Sequence, residues 1–338
     1  MIQLKKIISE RNLIFALSFI IITLIFNNFS LVQFEKFIPV QDGLYKSLNN
    51  HEFKKQINEL LIKDGSYDLD RVCDVTGNMH DRHKVRWVKA FLLKNLFNKL
   101  YKANNDLPYY VNIFLHSSLI FFTLIFLNNV FRLEKTHILF FLLYISYVFQ
   151  QHLGEYSYSI FEMFFLSAAM YASKNKNIFL LTVVSILAVL NRESGVLTAL
   201  TWLLFNKDYK KIIISYCFIL FAFLYANFHF INCIINPKFF IPLEPQRSQV
   251  NISDFASINF LSLAKIFFIN FIIPFGIIFY NLYKNNSKNI FFLILAIVYL
   301  LIFILATPLH HVSVRLIILP LIMLSFHLSK HKNLNQNL

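Results

Sequence analysis

The chain has 338 residues, of which 57% are hydrophobic and 17% aromatic, and its formal net charge is +14. The apolar residues fall in long runs, which excludes a soluble domain of this length and predicts an all-α polytopic membrane protein. Lys and Arg flank those runs, so the basic excess speaks for orientation in a bilayer and not for nucleic acid as a partner.

The first apolar run covers residues 13–29. It is longer than a signal-peptide core and no small-residue cleavage site follows it, so it reads as a retained anchor. Residues 30–108 then form a long connection, read as part of one membrane domain spanning 1–338. Within it, residues 51–63 place Phe53, Ile57, Leu60 and Leu61 on one helical face. Residues 85–101 carry Trp87, Phe91, Leu92, Leu96 and Leu100 against Arg86, Lys89, Lys94 and Lys99, with Lys84 just ahead of them. A basic amphipathic helix of this kind suits the membrane interface, where Arg82 and Arg86 meet lipid headgroups or a lipid phosphate. The alternative is a helix packed on the loop's own small core. Between the two helices lies an acidic stretch: Asp64, Asp68, Asp70, Asp74 and Asp81.

Further runs follow at 109–130, 137–149, 158–172, 178–190, 196–205, 212–233, 261–283, 290–306 and 312–328, giving ten predicted spans in all. Lys5, Lys6 and Arg11 precede the first. Basic residues then follow every even-numbered run: Arg132 and Lys135, Lys174 and Lys176, Lys207, Lys210 and Lys211, Lys284 and Lys288, Lys330 and Lys332. The positive-inside rule therefore expects both termini in the cytoplasm of a bacterium, with the odd connections outside its inner membrane.

Two runs, 178–190 and 196–205, are shorter than the ~20 residues a helix needs to cross. One long helix through both would invert every later connection, against the charge pattern. The expectation is a pair of short helices meeting at Asn191-Arg192-Glu193-Ser194-Gly195, with Gly195 permitting the turn and Arg192 directed into a cavity. Of the three cysteines, Cys217 lies mid-span, while Cys73 and Cys233 can meet outside the membrane.

The ionisable residues inside the runs gather at their outer ends: Glu162, Arg192, Glu193 and Arg315. An intramembrane charge is a functional-site hypothesis by default. Arg192 suits a phosphate, because a guanidinium presents a planar fork of donors. Its bland role is an ion pair with Glu193 or Glu162 that holds the bundle. Glu155, Ser159 and Glu162 share a helix face and suit sugar hydroxyls, or Glu162 simply neutralises Arg192. His311 and Arg315 are four residues apart and share a face suited to an anionic ligand; a snorkelling Arg at headgroup level is the alternative. His116, His229 and His310 read as structural. The sequence carries no Walker sequence, Gly-rich nucleotide loop, HExxH or Cys/His metal pattern, so chemistry here works without nucleotide.

The segment Val40-Gln41-Asp42-Gly43-Leu44-Tyr45, shortly after the first run, resembles the Asp-acidic-x-x-Tyr or Asp-Gly-x-x-Tyr element of the GT-C class of membrane glycosyltransferases. That class includes the protein mannosyltransferases and the lipid A aminoarabinose transferase. Gly43 stands where the second acidic residue would be, and Tyr45 falls one position early. Asn191-Arg192-Glu193-Ser194-Gly195 is similar to an Arg-Glu-Thr/Ser-Gly element of bacterial relatives, and Arg315 ahead of Pro320 resembles their last-span Arg. The resemblance covers the layout of the whole chain. It implies a catalytic Asp42, a sugar on a polyprenyl phosphate as donor, and an extracytoplasmic glycan, lipid or protein as acceptor.

Chemistry gives the same residues complementary tasks. Asp42 is the candidate base toward the acceptor hydroxyl, and with one base and no nucleophile the sugar carbon inverts, by analogy with inverting hydrolases. Asp-Gly is also a turn signal. Asp68 and Asp70 are the rival acidic pair, and with Asp42 they are hard oxygen ligands suited to a divalent metal. Three other readings compete: a polyprenyl-linked glycan polymerase or ligase, a lipid or solute transporter or flippase, and a purely structural membrane subunit. Transport predicts polar groups near the midplane and repeated halves; the sequence shows neither.

Overall fold

A computed structural model describes residues 10–37, 94–104, 107–151, 157–206, 208–226, 272–284, 292–299 and 312–330. Among these residues there is no strand, as expected of an all-α chain. The helices are α1 (Glu10–Phe37), α2 (Lys94–Ala103), α3 (Leu107–Phe131), α4 (Lys135–Gln151), α5 (Ser157–Lys174) and α6 (Ile178–Asn191). A 3-10 segment, Glu193–Leu200, leads into α7 (Thr201–Phe205) and then α8 (Tyr209–Ala226), α9 (Ile273–Lys284), α10 (292–299) and α11 (Val312–Lys330). Tyr110–Phe131 of α3 is long and apolar enough to cross a membrane. Shorter apolar helices occupy most of the other predicted runs.

Helix α5 is the hub. It packs against α3, α6, α7, α11 and the 3-10 segment. Its small residues Ser167, Ala168, Ala169, Ala172 and Ser173 are all buried, which lets neighbouring backbones approach closely. From Ile317 to Leu324, α11 is buried on every side. A helix apolar all round belongs in an interior.

The direction of each helix follows from what its ends touch. Lys174, at the end of α5, donates to the Val130 carbonyl at the end of α3. The Asn206 amide after α7 donates to the Ser173 carbonyl at 2.7 Å. Phe131 meets His327 of α11 with ring centroids 5.2 Å apart, and Asn281 of α9 donates to Ser325 of α11 at 3.1 Å. The ends of α3, α5, α7, α9 and α11 therefore collect on one side of the bundle. Between α1 and α3 the rings run the opposite way: Phe15 and Phe19 meet Phe121, whereas Phe26 stacks on His116. The basic connections thus share one end. There, partial burial and then the nearby Arg132 guanidinium hold the Lys174 ammonium below the usual lysine range.

Local sequence explains the ends. Arg132 and Lys176 take left-handed backbone (φ 52° and 55°) just past α3 and α5, the position at which helices commonly close. Asn177 caps α6 by accepting from the Leu180 N–H at 2.9 Å. Two predicted boundaries move. Helix α1 continues to Phe37, well beyond residue 29, and the predicted helix 196–205 starts instead at Glu193 as a 3-10 segment. At about 2.0 Å per residue a 3-10 helix reaches further than an α-helix at about 1.5 Å. A short stretch thereby returns across more of the bundle.

The long connection is described at its two ends: residues 30–37 continue α1, and α2 covers Lys94–Ala103, within which Lys99 and Lys102 are exposed, and packs against α3. The predicted helix 51–63 and the acidic stretch lie outside the described residues.

Candidate functional site

The site is built where α6 stops. Asn191 closes the helix, and Arg192 turns extended (φ −161°, ψ 149°), with its N–H still bound to the Ala188 carbonyl at 2.8 Å. Gly195 then returns the chain, its N–H bound to the Arg192 carbonyl at 2.8 Å. The reason for glycine is proximity, not an unusual φ. A Cβ on Gly195 would lie 2.2 Å from the Ala188 carbonyl carbon and 2.4 Å from the Val189 nitrogen. No side chain fits between two backbones that close.

Hydroxyls fasten the returning strand of the hairpin. Thr198 donates to the Gly195 carbonyl at 2.6 Å and sits 2.9 Å from the Ser185 hydroxyl on α6. Thr201 donates to the Thr198 carbonyl at 2.6 Å, and its oxygen lies 3.0 Å from Ser173 Oγ of α5. On the outer flank of α6, Thr182 meets Ser215 of α8 at 2.8 Å. Interhelical polar contacts of this type are an established way to hold helices in a medium without water.

Glu162 of α5 meets this turn. Arg192 Nη1 lies 2.9 Å from Glu162 Oε2, and the Ser194 hydroxyl donates to Glu162 Oε1. Glu162 is 1% exposed, and the Arg192 side chain 11%. Both carboxylate oxygens are therefore engaged by the break between α6 and the 3-10 segment. Tyr299 of α10, wholly buried, lies within electrostatic reach of Glu162, Arg192 and Tyr216. On the far face, His116 of α3 presents Nδ1 to the Asn112 carbonyl at 2.8 Å and meets the Phe161 ring edge-on, with centroids 5.9 Å apart.

Arg315 lies in the first turns of α11, which packs on α5. It precedes His327 by twelve residues, as Glu162 precedes Lys174, and His327 and Lys174 both touch the end of α3. At about 1.5 Å per residue, the Arg315 and Glu162 backbones therefore stand at one level of the bundle. Glu193 opens the 3-10 segment beside Arg192.

The sequence matches no family model, and no curated protein or solved structure resembles it detectably.

Of the residues singled out from sequence, the structure thus joins Arg192 to Glu162 and sets Glu193 and Arg315 near that level. Asp42, Tyr45, Asp68, Asp70, Arg86, Glu155 and His311 lie outside the described residues, as do Cys73 and Cys233. Among the described residues no group of His, Cys, Asp or Glu could hold a metal. Cys217 is free and exposed on α8. Arg192 makes the direct ion pair with Glu162 that the sequence offered as its bland role, the carboxylate standing one turn into α5. Ser194 and Tyr299 were not among the candidates. Ser194 stood in the quoted motif, but its partner across the bundle leaves no sequence trace. Tyr299 is one aromatic within an apolar run, and nothing local distinguishes it.

Proposed function

We propose that this chain is a polytopic membrane glycosyltransferase that moves a sugar from a polyprenyl phosphate to an acceptor outside the cytoplasm. The observation that carries the reading is the buried meeting of Arg192, Ser194 and Glu162 at a helix break, level with Arg315. A guanidinium and a hydroxyl kept at one end of a bundle, opposite the basic connections, form a place for a lipid phosphate at the outer leaflet. An intramembrane ionisable pair at such a break marks a site more often than a scaffold.

In this reading the ten apolar runs cross the bilayer, both termini face the cytoplasm, and the basic ends of α3, α5, α7, α9 and α11 lie inside. Arg192 and Arg315 neutralise the phosphate. Asp42, brought in by the long outer connection, takes the proton from the acceptor hydroxyl. The acceptor oxygen then bonds to the sugar carbon, and the carbon–oxygen bond to phosphate breaks with its electron pair going to the phosphate, inverting the carbon. Glu162 holds Arg192 and Ser194 in place and is a positioning residue. A divalent cation, if one takes part, would use Asp42, Asp68 or Asp70. Transport is the weaker reading, since among the described residues the buried ionisable pair and Arg315 lie at one level of the bundle.

Two measurements test this. Asp42→Asn and Arg192→Lys are each expected to lower transfer from a lipid-linked sugar by at least about 100-fold with expression intact. Full turnover in both variants would remove the catalytic assignment. For the topology, single cysteines are placed at Asp64, Lys176 and Asp208 in a cysteine-free chain. An impermeant maleimide added to intact cells should label only the first; labelling at 176 and 208 instead would reverse the orientation.

A further inference from the structure

Where α3 and α5 end, cations collect without an ion-pair partner among the described residues. Lys174 donates to the Val130 carbonyl, which sets it within electrostatic reach of Arg132. Lys176 stands two residues beyond it. Arg132 and Lys176 are both exposed, and neither pairs with a described carboxylate. Glu134 and Asp208 are the acidic residues of the turns at this end, and Asp208 is taken by Lys211 at 3.2 Å. Neighbouring cations repel one another, so an anion held among them relieves that repulsion.

The helices that leave this end continue from a basic residue into an exposed apolar row. Ahead of α6 stands Lys176, and Phe179, Val183 and Leu187 follow on one face at steps of four, Phe179 being 77% exposed. On α4, Lys135, Leu139 and Leu143 are spaced in the same way and are all exposed. On α8, Lys210, Ile214 and Phe218 repeat the pattern, with Phe221 and Tyr225 beyond them. A free phosphate or a nucleic acid would use the cations and leave the apolar rows bare. A phospholipid uses both, with its phosphate at the cations and its acyl chains on the row that follows.

We infer that the adjoining ends of α3 and α5 form a binding site for an anionic phospholipid, its headgroup held by Arg132, Lys174 and Lys176 and its acyl chains lying on the exposed row that starts at Phe179. The site lies at the opposite end of the bundle from Arg192 and Glu162. It shares with the transferase reading only the placement of the bundle in a bilayer, and it uses neither Asp42 nor Arg192. Orientation by loop charge requires that basic turns stay on one side of the membrane. It requires no choice between headgroups, and that choice is what this site adds.

The test titrates the full chain in detergent with dioleoyl phosphatidylglycerol or dioleoyl phosphatidylcholine and reads binding by native mass spectrometry. A cation at an anionic lipid surface contributes about fivefold in affinity, so wild type should prefer the anionic lipid by at least about tenfold. The double variant Arg132→Asn, Lys176→Asn should lose that preference and bind phosphatidylcholine as wild type does. Asparagine suits both positions, whose backbone is left-handed (φ 52° and 55°), so the fold is retained. The charge-preserving pair Arg132→Lys, Lys176→Arg should keep the preference. Equal affinity of wild type for the two lipids overturns the inference, as does an undiminished preference in the asparagine variant. Glycerophosphoglycerol, the headgroup without its chains, should compete poorly; competition equal to that of the whole lipid would make this a bare anion site and overturn the inference too. Transfer activity is not read in any of these titrations, so the transferase reading and this site can fail separately.

Discussion

Gly195→Ala is expected to destabilise the protein by at least about 3 kcal/mol, because the new methyl must displace backbone and not a side chain. The atoms in its way are the Ala188 carbonyl and the Val189 nitrogen of α6. Moving them opens the hairpin, draws Ser194 and Arg192 away from Glu162, and breaks the Thr198 contacts beneath. Gly276 of α9 provides the control. A Cβ there meets nothing within 4 Å, so Gly276→Ala should be neutral or stabilise by up to about 1 kcal/mol through a stiffer unfolded chain. Thermal unfolding in detergent and yield of folded protein measure both. Equal behaviour of the two variants would mean that the hairpin is not closed as described.

The second large effect concerns the buried pair. Removing one partner leaves a charge with no compensation in a water-poor interior, at a cost of about 3–5 kcal/mol. Glu162→Leu and Arg192→Met are each expected to lose stability on that scale. The double variant should recover most of the loss, since an apolar pair can replace a buried ion pair with little penalty. Its transfer activity should stay absent. That combination separates the two tasks of Arg192: restored folding shows that the pair is dispensable as a strut, and missing activity shows that the guanidinium serves the substrate. A double variant as unstable as the singles would sink the pairing; a double variant that turns over would sink the phosphate role.

The all-helical character of the chain was legible in the sequence, and for a simple reason. Apolar runs mark the helices, and Arg132, Lys174, Lys210 and Lys284 alternate with them along the chain. The structure gathers the ends of α3, α5, α7, α9 and α11 together, as that alternation requires. The break at Asn191–Gly195 was also legible, because a charged pair and a glycine interrupt an apolar run. The reason for Gly195 was not: a turn signal announces flexibility, while contact with Ala188 is a fact of two segments packing.

What the sequence by itself determined is a helical chain with a hairpin interrupted at Arg192. What only the tertiary structure decided is which groups meet there. From spacing alone Arg192 could pair with Glu193, Glu162 or a phosphate; the rotation and depth of α5 bring in Glu162, with Ser194 on its second oxygen. The same packing buries Tyr299 within electrostatic reach of the pair and leaves Ser159 and Ser117 buried without partners. Periodicity assigns a residue to a face of its own helix. It does not say which face of another helix will lie against it, because that depends on interhelical angle and register, which are set by the fit of all the side chains together.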